Sequence, residues 1–165
     1  MARDLRRLWL PAVLVLGVAA ARAQSAWPLW NAYAARFIGA QGRVIDPHRG
    51  EITTSEGQSY ALFFALVQND RATFERVLAW TRDNLAGGDM GAHLPGWEWG
   101  RNKAGNWTLL DAGSASDSDC WIAYTVLEAG RLWHEPAYTA LAHKMLGLIA
   151  RQQVAELPGF GVMLL

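Results

Sequence analysis

Two short polar stretches carry the residue types from which hydrolytic chemistry is built. In Thr53-Thr54-Ser55-Glu56-Gly57-Gln58-Ser59-Tyr60 one carboxylate stands among hydroxyl, amide and glycine neighbours just where a long apolar helical pattern begins. In Ser114-Ala115-Ser116-Asp117-Ser118-Asp119 the arrangement recurs, again ahead of an apolar helix, through Trp121, Ile122, Ala123, Val126 and Leu127. Each stretch puts an ionisable group at the mouth of a helix. Two carboxylates held across a cleft are what cleavage of a glycosidic bond requires: a protonated acid for the leaving oxygen, and an ionised group that activates water or steadies an oxocarbenium-like centre. Glu56 is the candidate acid and Asp117 its candidate partner. A helix N-terminus favours the ionised form of any acid, so burial beneath aromatic rings or a like charge from Asp117 has to offset it. Each stretch also has an ordinary explanation, because a first-turn glutamate complements the helix dipole and Ser and Asp around a helix start are routine caps.

Gln58 and Tyr60 are placed to hydrogen-bond sugar hydroxyls, although Tyr60 is equally suited to the core. His48, His93, His134 and His143 are scattered without the spacing or cysteine company of a metal site, so no metal is assigned. No glycine-rich phosphate loop follows a strand, and there is no Gly-x-Ser-x-Gly elbow. Nucleotide and serine-hydrolase chemistries drop out, and no cofactor is expected.

Composition agrees with a sugar ligand. The chain of 165 residues has a formal net charge of zero and is 52% hydrophobic, which describes one globular domain and argues against a nucleic-acid partner. Nine tryptophans suit either a large aromatic core or a groove that stacks the flat faces of sugar rings. Arg3, Arg6 and Arg7 precede an apolar run from Leu8 to Ala20, and Ala21-Arg22-Ala23 follows in the form a signal peptidase accepts. Residues 1–23 therefore read as a signal peptide and residues 24–165 as the mature domain, periplasmic or secreted, with no membrane span after cleavage. The single cysteine, Cys120, has no intrachain partner and reads as a small apolar group on a helix.

The elements that must position the two acids follow from periodicity. Trp27, Trp30, Tyr33, Ala34, Phe37 and Ile38 form a helical stripe ended by Gly39 and Gly42. Arg43 to Ile52 reads as a loop, with a short extended piece at Arg43-Val44-Ile45. Ser55 and Gln58 fit a capping box for a helix running to Asn69, apolar nearly all round and so buried on most faces. Asp70 and Thr73 open an amphipathic helix that reaches Leu85 and stops at Gly87-Gly88. Asp89 to Ala112 reads as a long functional loop dense in Gly and Trp. Helices then follow from about Ser116 to Trp133 and from Pro136 onward, and Val162-Met163-Leu164-Leu165 is left as an uncapped apolar tail. Buried inner helices alternate with outer ones, and no alternating strand pattern is evident. If such hairpins stack side by side, Glu56 and Asp117 converge on one rim.

Gly42-Arg43-Val44-Ile45-Asp46, the Glu56 stretch, Leu94-Pro95-Gly96-Trp97-Glu98-Trp99-Gly100 and Ala115-Ser116-Asp117-Ser118-Asp119-Cys120-Trp121-Ile122-Ala123 together resemble glycoside hydrolase family 8. The likeness covers the mature chain and is greatest to members that accompany bacterial cellulose synthesis, which implies a functional link to that machinery. It implies an all-α (α/α)6 barrel and inverting hydrolysis of internal β-1,4-glucosidic bonds without a metal. Glu56 matches the proton donor and Asp117 the aspartate of the family signature. Trp97, Trp99 and Trp107 fall in the loop that would border the cleft, Trp99 being the first choice for sugar stacking. Ser118 departs from the Ala or Gly usual in that signature, and Gly113 from a polar residue in near relatives. The family's domain is also longer than this chain, and its later half carries the aspartate usually assigned as base. The chain is therefore expected to be the N-terminal part of the catalytic domain, with about five helices, exposed inner-helix surface and no activity alone. A module that holds glucan without cutting it, or a helical repeat that binds a protein through its apolar edge, are the competing readings.

Overall fold

The computed structural model describes residues 27–165; the leader read at 1–23 lies outside them. Five helices run in chain order: α1 (Pro28–Phe37), α2 (Ser55–Val67), α3 (Arg71–Leu85), α4 (Ser116–Leu132) and α5 (Pro136–Gln152). α2 pairs with α3 and α4 with α5 as antiparallel hairpins, and α2 packs directly on α4. These two inner helices carry fully buried Ala61, Leu62, Ile122, Ala123, Val126 and Ala129, while α3 and α5 close over them with Phe74, Val77 and Met145. Close approach within the second hairpin depends on Gly130, because a Cβ there would overlap the Thr139 hydroxyl.

Local signals account for the helix boundaries. Pro28 and Pro136 occupy first turns, where a missing N–H costs nothing. Asp70 caps α3 by accepting from the Thr73 N–H at 3.1 Å, and its other oxygen accepts from the Trp30 indole at 3.2 Å, which fastens α1 to the hairpin. Cys120 lies half-buried on α4, a free thiol packed against the core. The tight loop before α2 is braced by Gly42, whose φ of +94° and contact with the Arg76 carbonyl exclude any side chain. Its extended piece forms antiparallel bridges, Ile38 to Val44 and Asp46 to Ile52.

The structure corrects the sequence reading in three places. The stretch read as a long loop contains β2 (Gly96–Arg101) and β3 (Trp107–Ser114), and β1 (Thr53–Thr54) joins them in an antiparallel sheet ordered β1-β2-β3. Register shifts between Gly96 and Trp99, together with a largely exposed β3, erase the period-two alternation that would have revealed these strands. The apolar tail is likewise a hairpin, β4 (Val154–Leu157) with β5 (Gly161–Leu164). Finally, the α2 cap is Thr54, whose hydroxyl accepts from the Gly57 N–H at 3.2 Å, and not Ser55. On the inner helices Tyr60, Val67, Tyr124 and Leu132 remain exposed.

Candidate active site

α2 and α4 meet at their N-termini. The Ser55 and Ser118 hydroxyls lie 2.8 Å apart, both buried, and Ser118 Oγ also bonds the Ala115 carbonyl at 3.0 Å. This clasp joins the first turns of the two helices, whose residues can be compared by their place from each helix start. Glu56 and Asp117 are the second residues of their helices, Gln58 and Asp119 the fourth, and Tyr60 and Trp121 the sixth. Second and sixth positions are one turn apart and share a face. Accordingly Glu56, Tyr60, Asp117 and Trp121, with Ser59 and Ser118, line one cavity of about 250 Å³. The predicted convergence of the two acids on one rim is realised.

Glu56 is approached from the sheet as well as from its own helix. The Trp97 indole on β2 donates to Glu56 Oε1 at 2.7 Å, while Oε2 is buried and has no hydrogen-bond partner. Asp117 is more exposed, and its Oδ1 accepts from the Ser118 N–H at 2.7 Å. Tyr60 is half-exposed and lies near-parallel to Phe64, with ring centres 6.4 Å apart. Trp121 stacks on Tyr124 at 5.6 Å and touches Phe63 at 4.8 Å, and its indole nitrogen is buried without a partner. The site thus offers two carboxyl groups above a floor of aromatic rings.

Other expected site residues are placed elsewhere. Gln58 is not a ligand group: it is fully buried, accepts from the Val44 N–H at 2.7 Å and donates to the Thr81 hydroxyl at 2.8 Å and the Gly42 carbonyl at 3.3 Å. Its amide ties α2 to the end of α3 and to the loop before it, so nothing remains for a sugar. Trp99 does not line the cavity; it meets Trp80 of α3 edge-to-face at 5.9 Å. Trp107 stands at the far end of β3, with the Arg43 and Arg101 guanidinium carbons 4.1 and 4.6 Å from its ring centre. Of the three tryptophans in this stretch, Trp97 is the one that reaches a candidate acid. Trp121 was missed, although its place four residues after Asp117, like that of Tyr60 after Glu56, marked it.

Asp119 is fully buried, and its Oδ2 accepts from the Gln153 side-chain amide at 2.6 Å at the end of α5. Burial pushes its carboxyl up to about 7, the charge of Asp117 adds to the rise, and hydrogen bonds from Gln153 and Ser114 oppose it.

Paired helical hairpins whose inner N-termini bring acids to one rim define the helical-barrel class. The sequence profile of the glycosyl hydrolases family 8 matches residues 5–165, and the chain belongs to that family. It is 54% identical over 140 residues to an endoglucanase of Xanthomonas axonopodis pv. citri (strain 306), which covers 84% of this chain and 36% of that protein. Against an endoglucanase of Salmonella typhi the identity is 48% over 160 residues, covering 96% of this chain and 43% of the relative. The crystal structure of an endo-1,4-D-glucanase from Vibrio fischeri ES114 superposes with a TM-score of 0.81 at 48% identity, over 84% of this chain and 40% of the other. The fold is that of the (α/α)6 barrels, of which the described residues supply five helices. The chain spans about two fifths of the length of these relatives.

Proposed function

We propose that this chain carries the acid side of an endo-β-1,4-glucanase that hydrolyses internal bonds of cellulose-like glucans. The observation that carries the reading is Glu56: Trp97 holds one of its oxygens, and the side chain lines a cavity shared with Asp117. A glycosidic oxygen bound in that cavity would take its proton from the Glu56 carboxyl, while Trp97 keeps the carboxyl from rotating away. Asp117 lines the same cavity and would steady positive charge developing on the sugar ring. Tyr60 and Trp121 supply aromatic surface for a pyranose. Trp97, Trp99 and Trp107 are proposed as the border of a longer glucan groove.

The water-activating base of an inverting mechanism is assigned to the part of the family domain that this chain does not span. The substrate is a neutral β-glucan, in keeping with zero net charge. Export to the periplasm or beyond is proposed from the leader, and a functional link to cellulose synthesis from the family resemblance. The test is reducing-sugar release from carboxymethyl cellulose by this chain and by the full-length protein that contains it, each beside its Glu56→Gln variant. Activity confined to the full-length wild type supports the proposal. Glucan binding that survives Glu56→Gln, with no hydrolysis by any form, replaces it with a binding module.

A further inference from the structure

Counted from the helix starts, Asp119 on α4 occupies the place of Gln58 on α2. Each is buried and ties the start of an inner helix to the end of its outer partner, Gln58 to Thr81 and Asp119 to Gln153. The ties differ in one respect. Gln58 has both its oxygen and its nitrogen engaged, whereas Asp119 Oδ1 and Gln153 Oε1 are both buried and without a partner. These two orphans belong to the two members of a single 2.6 Å hydrogen bond. An ionised carboxylate is acceptor-only and cannot satisfy an amide oxygen, while a protonated carboxyl can both donate and accept. The Gln153 amide cannot relieve the mismatch by exchanging its oxygen and nitrogen, since Nε2 already serves both Asp119 Oδ2 and, at 2.9 Å, Ser114 Oγ.

We propose that Asp119 is held in the folded protein as a neutral carboxylic acid, paired with the Gln153 amide through two hydrogen bonds, Oδ1–H to Oε1 and Nε2–H to Oδ2. The proton comes from solvent and forms the Oδ1–H bond, no other covalent bond changes, and both orphaned oxygens are satisfied at once. Asp119 is then a positioning residue: it locks the first turn of α4, and with it Asp117, to the end of α5 and to β3. Its surroundings support the neutral form. The charged group that acts on it is Asp117 on its own helix; α5 and β3 contribute the neutral Gln153 and Ser114, whose hydrogen bonds favour the ionised form but are outweighed by burial. None of the ion pairs among the described residues includes it. The positioning role for Asp117 rests on the proposed function; the protonation state does not.

The pH dependence follows from the raised carboxyl. With a folded value of about 7 against an ordinary 3.8, the native state holds a proton in this window that the unfolded chain has released. The Asp119 contribution to stability is therefore complete below the ordinary value, falls as pH rises through the window, and is gone above about 7.

Wild type, Asp119→Asn and Asp119→Ala in the full-length protein are compared by thermal midpoint and by infrared spectroscopy with carbon-13-labelled aspartate. Relative to Asp119→Asn, which donates and accepts without titrating, the wild-type midpoint should fall by about 5 °C or more between about pH 5 and about pH 8. Asp119→Ala should be destabilised at the acid end. An aspartic-acid carbonyl band should be present near the acid end, bleach toward alkaline pH and be missing from Asp119→Asn. Parallel pH profiles for wild type and Asp119→Asn, or no such band in wild type, overturn the proposal. If Asp119→Asn does not fold, the wild-type infrared titration decides alone. Since neither readout uses glucan, failure here is separable from failure of the glucanase reading.

Discussion

The mouths of α2 and α4 are built to one plan and put to different uses. In both, the second residue is an acid, the fourth a buried polar tie and the sixth an aromatic ring on the acid's face. At α2 the tie is an amide with its hydrogen bonds complete, and the acid is pinned from outside by a tryptophan on a neighbouring strand. At α4 the tie is itself a carboxyl, and the acid above it leans on the N–H of the next residue. The difference teaches that an acid at a helix mouth is not yet a site. What separates Glu56 from Asp119 is whether the side chain borders the cavity or is enclosed against the end of another helix.

Four substitutions in the full-length protein sharpen or break this comparison, taken from the largest expected effect downward. Glu56→Gln should lower kcat by about 10²–10⁴-fold with little change in thermal midpoint, because it removes the proton but keeps the shape. A loss below tenfold would show that α2 does not present the acid. Asp117→Asn should cost about 10²–10³-fold in kcat, the loss of one preorganised charge beside the reacting ring. If it instead raises KM with kcat intact, Asp117 serves ground-state binding alone. Gln58→Leu should leave the catalytic constants of the folded fraction unchanged and destabilise by about 2–3 kcal/mol, since the Val44 N–H and Thr81 hydroxyl lose their buried partner. A raised KM at unaltered stability would return Gln58 to the substrate. Trp97→Phe, which deletes the indole donor to Glu56, should reduce kcat by up to about tenfold, the worth of roughly one hydrogen bond. An effect equal to that of Glu56→Gln would make Trp97 part of the acid itself.

Much of this was legible without coordinates. The helices announce themselves through contacts three and four residues apart, and their starts through Asp70, Pro28 and Pro136, all local signals that survive any tertiary arrangement. The pairing of Glu56 with Asp117 was legible too, because equivalent inner helices in stacked hairpins must present their N-termini at the same end. The sheet was not, since strand pairing joins Thr53 to Trp99 and Trp99 to Leu109 across distances that no short window spans, and a bulge disrupts the pattern that remains.

Which tryptophan reaches Glu56 was not legible for a related reason: Trp97 and Trp99 are neighbours but one in the sequence, and the irregular strand between them sends one indole to Glu56 and the other to Trp80. Gln58 looked like a ligand because a polar side chain at a helix mouth is ordinarily accessible. Its burial is decided by Val44 and Thr81, which approach it from other parts of the chain. The amino-acid sequence by itself determined the helices, the family and the two acids, because those depend on residue type and short-range periodicity. Which acid faces the cavity, which is sealed against Gln153 and which tryptophan holds Glu56 were decided by tertiary structure alone, because burial and hydrogen-bond partnership are properties of what packs alongside.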